Sequence, residues 1–120
     1  MILKLTLKKT WFDLIRNGNK TEEYREIKAY WANRLYAISP INAYEFENTE
    51  DTADAILNGY SPKCPFRSFT HVQFTNGYSP TSPTFTIECK GIRIGRGNPE
   101  WGAPTDKDVF ILELGKIVQL

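Results

Sequence analysis

The densest chemistry in the chain lies in one octet, Gly18-Asn19-Lys20-Thr21-Glu22-Glu23-Tyr24-Arg25. If this stretch is extended, Glu23 and Arg25 are two positions apart and project from one face. Together they make a fixed hydrogen-bonding edge. The carboxylate accepts from the amino or imino groups of a base, and the guanidinium forks onto a carbonyl oxygen or a phosphate. Lys20 has the opposite parity from Glu23, so it must precede the regular strand, where the backbone still turns, and reach a cleft from its rim. Lys8 adds a second cation, and Trp11 an aromatic surface close to it. The bland alternative is a solvated Lys–Glu–Arg cluster, which contributes little energetically.

A second concentration is the run Gly91-Ile92-Arg93-Ile94-Gly95-Arg96-Gly97-Asn98-Pro99-Glu100-Trp101-Gly102. It offers Gly-x-Gly, but Glu100 stands where a dinucleotide fingerprint needs its third glycine, and no crossover helix follows. No cofactor is therefore expected. In this run Trp101 is a candidate to stack on a base and Arg96 to meet a phosphate. A wide connection between two strands, with Trp101 packed as a lid, accounts for the same residues equally well. Cys64 and Cys89 form no Cys-x-x-Cys pair, and His71 is the single histidine, so no metal site is expected. His71 sits in the alternating stretch Phe69-Thr70-His71-Val72-Gln73-Phe74, where a structural role is the simpler reading.

The elements that must position these groups follow from periodicity. Residues 2–7 alternate apolar and polar and read as a strand. Thr10 to Asn17 reads as a short helix with Trp11, Leu14 and Ile15 on one face, Thr10 as its cap and Gly18 as its left-handed stop. Lys20 to Ile27 suits a strand. Ala29 to Ile38 reads as a second helix, with Trp31, Leu35 and Ile38 spaced for burial and Pro40 barring extension. Ile41 to Phe46 is a further candidate strand. Asn48 to Pro65, acidic at first and then rich in Gly, Ser and Pro, reads as a loop with one helical turn near residues 53–56; the acidic segment around Glu45 to Asp54 suggests no role. Phe69 to Thr75, Thr84 to Ile94 and Asp108 to Val118 complete the strands, with a connection at Asn76-Gly77 longer than a tight hairpin. Five or six strands with two or three short helices, and no regular βαβ alternation, predict one α+β barrel-like domain over residues 1–120.

Composition sets the outer limits. The 120 residues are 41% hydrophobic, 24% charged and 13% aromatic, ordinary for a globular domain with a real core. No apolar run approaches a membrane span, and Met1-Ile2-Leu3-Lys4-Leu5 reads as a strand and not as a signal peptide, so the cytoplasm is the expected location. The net charge of +1 hides an asymmetry: residues 1–34 carry eight Lys/Arg against four acids, and residues 35–90 three against six. A protein that grips a long phosphate backbone is usually more basic overall; a local positive cleft for one nucleotide or a short single strand fits better.

Gly18, Lys20, Glu23 and Arg25 match the Gly-x-Lys-x-x-Glu-x-Arg signature of ASCH domains at all four fixed positions. The flanks agree: a strand, then Leu7-Lys8-Lys9-Thr10-Trp11 opening a helix, then Leu14-Ile15 shortly before the motif glycine. Lys9 stands where the family often has proline. The first third of the chain thus resembles an ASCH domain of the PUA-like superfamily, and the later strands agree in number and order. The resemblance implies a mixed β-barrel that binds RNA or a modified nucleotide in a cleft lined by the motif. It also implies an alternative. Some small members look like amidohydrolases acting on N4-acylated cytidine, and others like ribonucleases. In the amidohydrolases the motif lysine works with a threonine three positions later, and here that position is Glu23. If the chain is an enzyme, Lys20 and Glu23 are its catalytic candidates. The ligand-binding candidates are Lys8, Trp11, Lys20, Glu23, Arg25, Arg96 and Trp101.

Overall fold

The N-terminal alternation becomes β1 (Ile2–Thr6), which turns Leu3 and Leu5 inward, in a computed structural model that describes residues 1–37, 54–58 and 65–119. Helix α1 (Lys9–Arg16) follows at once. Its start differs from expectation. Lys8 occupies the cap position without a side-chain cap, and Thr10 lies inside the first turn. Phe12 and Ile15 are its buried residues, and Trp11 packs only partly against the core. Gly18 ends the helix at a φ of 86°, a conformation open to glycine at little cost.

β2 (Glu22–Glu26) is shorter than the predicted strand, and Lys20 precedes it. Helix α2 (Ala29–Leu35) stops three residues before Ile38. The cause is local. Tyr36 turns extended, bridges to Phe66 and stacks on its ring at 4.4 Å between centroids, so the chain leaves the helical path there. The candidate strand Ile41–Phe46 and Cys64 lie outside the described residues. The expected helical turn is present at 54–57. β3 (His71–Thr75), β4 (Thr84–Gly95) and β5 (Val109–Gln119) follow, with a 3-10 turn at Pro99–Trp101 between the last two.

The five strands form one mixed sheet in the order β1-β3-β4-β5-β2, curled as a half-barrel with helices against it, a small α+β barrel. β1 pairs parallel with β3, and every other pair is antiparallel. Register shifts between Thr86 and Gly91 let β4 bend against β5, which supports the curl. One apolar cluster runs from Leu3, Leu5 and Leu7 through Phe12, Ile15 and Leu35 to Phe85, Phe110 and Leu112. β5 is also covered on its other face, because Val109, Ile111 and Ala103 are buried outside that cluster. No helix among the described residues is long and apolar enough to cross a membrane.

The first 26 residues therefore supply both edges of the sheet. β1 and β2 are not paired with each other. Between their facing ends lies a cleft.

Candidate functional site

The cleft has a volume of about 460 Å³ and is lined by residues from three places. Thr6, Leu7 and Lys8 come from the end of β1, with Trp11 just beyond; Glu23 and Arg25 come from β2; Asn76, Gly77 and Tyr78 come from the β3–β4 connection. The sheet topology explains the meeting. β3 lies beside β1, so the turn after β3 opens next to the end of β1. The Asn76 side-chain amide donates to the Leu7 carbonyl at 3.0 Å and ties the two together.

Glu23 sits at the centre, and both its oxygens are taken. Oε1 accepts from Lys20 Nζ at 2.8 Å, and Oε2 accepts from the Arg25 guanidinium at 2.9 Å. The expected common face of Glu23 and Arg25 is thus present, and both line the cleft. The position of Lys20 corrects the expectation. It precedes the strand as required, but its side chain is only 1% exposed and does not line the cleft. The Trp11 ring centroid lies 4.4 Å from Nζ and that of Tyr24 5.6 Å, so two π-faces and one carboxylate replace water around the ammonium. Lys20 is the buried counter-ion of Glu23 and not a rim cation.

Arg25 is held differently. Its side chain is 18% exposed and lies over the Trp31 ring at 5.0 Å. The same guanidinium reaches the Thr6 carbonyl at 3.4 Å, across the gap between the two edge strands. Its Nε is buried with no hydrogen-bond partner among the described residues. Buried guanidinium N–H groups are costly to leave unpaired, so this one marks a position suited to an acceptor.

Arg96 and Trp101 are not brought to the cleft. Arg96 is exposed and turned back on its own connection, with Nε on Asp108 at 3.1 Å and a second nitrogen on the Thr105 carbonyl at 3.0 Å. Trp101 is half-buried in the 3-10 turn and is not among the lining residues. The run around them has another task. Gly102, at a φ of 97°, lies so close to Trp11 that a Cβ there would stand 2.9 Å from the indole. Tyr24 donates to Glu22 at 2.7 Å and accepts from the Asn98 N–H at 2.9 Å. The β4–β5 connection therefore backs the Trp11 wall from behind, pinned by Tyr24. Burial, ahead of the opposing Asn98 contact and the neighbouring Glu22, pushes the Tyr24 phenol up to about 12.

Tyr78 is the cleft residue that the sequence reading missed. It is 94% exposed at the tip of the β3–β4 connection. The signal was there: an aromatic between Gly77 and Ser79-Pro80, in a turn too short to reach the core. Asn76 and Gly77 were legible only as a turn. His71 lies outside the cleft, in β3, with Nδ1 beside the Thr70 hydroxyl at 2.9 Å. Cys89 is free and half-buried, and burial raises its thiol pKa, which suits an idle cysteine. Among the described residues no group of three His, Cys, Asp or Glu is placed to hold a metal ion. Comparison with family models, curated proteins and solved structures finds no match for this chain.

Proposed function

We propose that the chain binds RNA or a modified nucleotide in the cleft between β1 and β2, as its resemblance to ASCH domains implies. Arg25 carries this reading: a guanidinium fixed by Glu23 and Trp31, in a cleft, with one buried N–H lacking an acceptor. The Lys20–Glu23–Arg25 triad keeps one net positive charge, and exposed Lys8 adds a second at the mouth. Tyr78 offers an unpacked ring for a base to stack on, as single-strand binders use. RNA or a nucleotide, met in the cytoplasm, is the expected partner.

The hydrolase alternative has less support. An attacking or proton-accepting Lys20 must meet the substrate, yet its ammonium is sealed beneath Trp11 and paired with Glu23. Neither N4-acylated cytidine nor a short RNA should be hydrolysed. Turnover of either that Lys20→Met abolishes would reverse the preference.

The test is a binding isotherm for nucleotides and short single-stranded RNA. Arg25→Gln should cost about 1.5–3 kcal/mol of affinity, as for a hydrogen bond to a charged group. Tyr78→Ser should cost about 1–3 kcal/mol for the oligomer, the value of one stacked base. Wild-type protein that binds no nucleotide at any salt concentration would sink this reading.

A further inference from the structure

A second cleft, of about 420 Å³, lies along the first half of β1. Lys4, Arg34 and Arg67 line it, beside Ile2, Asn33 and Phe69, and no carboxylate is among its described lining residues. The described ion pairs leave these three cations out, whereas Arg93, Arg96 and Lys107 are each matched to an acid. Arg34 instead lies beside the rings of Tyr30 and Trp31, at 5.2 and 5.8 Å. Among the described residues, two side-chain atoms are buried without a hydrogen-bond partner: Nε of Arg25 and Nε of Arg67. Each belongs to an arginine lining one of the two clefts. The same unmet demand for an acceptor therefore recurs where no acid among the described lining residues faces the positive charge.

The clefts are neighbours. Trp31 lies 5.0 Å from the Arg25 guanidinium and 5.8 Å from that of Arg34, so these two groups are within about 11 Å of each other, the sum of the two distances. Along β1, Lys4 and Thr6 have the same parity, with Lys4 in the second cleft and Thr6 in the first, and Lys8 lines the first from the cap of α1.

We propose that Lys4, Arg34 and Arg67 form a second oxyanion site, which takes a phosphate group adjacent to the nucleotide held at Arg25 on the same single strand. The assignment to that strand rests on the function proposed above; the oxyanion site itself does not. A guanidinium with a free edge and two further cations suit the oxygens of a phosphate. With the two net positive charges of the first cleft, the oligomer then meets five. The slope of log K against log salt should be shallow for a mononucleotide, which releases few counterions, and steeper for an oligonucleotide spanning both sites.

Two probes decide, each with full-length protein. Inorganic phosphate is titrated while backbone amide resonances are followed, and shifts are expected at Ile2 to Lys4 and at Arg67 to Phe69. Single-stranded RNAs of increasing length are then bound to wild type and to a Lys4→Gln, Arg34→Gln double variant. Both positions are exposed, so the fold should persist; unchanged melting checks this. The variant should bind a mononucleotide as wild type does, while its oligomer slope becomes shallower than that of wild type. Arg67→Gln should abolish the phosphate-induced shifts. Shifts with identical oligomer slopes in both proteins would overturn the shared strand and leave a site for free phosphate. Absent shifts and unchanged slopes would overturn the site, while nucleotide binding at Arg25 would leave the proposed function standing. Phosphate shifts without binding of any nucleotide would sustain the oxyanion site and remove the proposed function.

Discussion

Glu23 depends on two cations that differ in depth, and they should respond differently to substitution. Glu23→Gln leaves the Lys20 ammonium without a counter-ion in a site 1% exposed, and unfolding free energy should fall by about 3–5 kcal/mol. Lys20→Met fills a similar volume and leaves Glu23 its more exposed partner Arg25, so its cost should be smaller. Denaturant melts of the two variants test the order; a larger loss for Lys20→Met would mean that Arg25 does not sustain Glu23 alone. The parity of Glu23 and Arg25 was legible because a strand has a fixed period. The depth of Lys20 was not. Its cover comes from Trp11 on α1 and Tyr24 on β2, and sequence spacing says nothing about how those two rings close over one ammonium.

At the scale of elements, the β4–β5 connection is the part whose role changed most. Its Trp101 and Arg96 were candidates for ligand contact; in the structure its glycines, Gly97 and Gly102, let the backbone lie against Tyr24 and Trp11. Tyr24→Phe strips the Asn98 N–H of its acceptor and Glu22 of a donor, and should cost about 1–3 kcal/mol. It should also speed amide exchange across residues 96–102 while leaving β3 protected. The phenol has a pH signature. Its folded pKa, about 12, lies above the ordinary 10, so the fold favours the neutral form. The stability it contributes is complete below pH 10 and is lost as pH rises through about 12. Wild type minus Tyr24→Phe, followed by tyrosinate absorbance, should show one transition near the upper value; a transition near 10 would mean that the ring is not held as described. The five described strands and both helices were legible to within a few residues from alternation and stop signals. What escaped was the early end of α2, set by the distant partner Phe66, and the cap of α1, where Lys8 stands in place of Thr10.

Across the whole molecule, the order β1-β3-β4-β5-β2 places the most local pairings in the middle and the most distant at the edges. β3, β4 and β5 form an antiparallel meander of near neighbours. Ile2, by contrast, must find His71, and Glu22 must find Glu113. Closing long loops before any contact rewards them is slow, so the meander should form the folding nucleus. Leu5→Ala, in buried β1, should destabilise by about 2–5 kcal/mol and act mainly by speeding unfolding. Phe85→Ala, in β4, should mainly slow folding; equal partition of both effects in denaturant-jump kinetics would refute that order. The edges have a further consequence for a chain made from its N-terminus. Leu3, Leu5 and Leu7 leave the ribosome well before their sheet partner β3, and β2 well before its partner β5. The nascent domain therefore carries its apolar first strand uncovered until β3 emerges, and the cleft between β1 and β2 cannot take shape until β5 has followed.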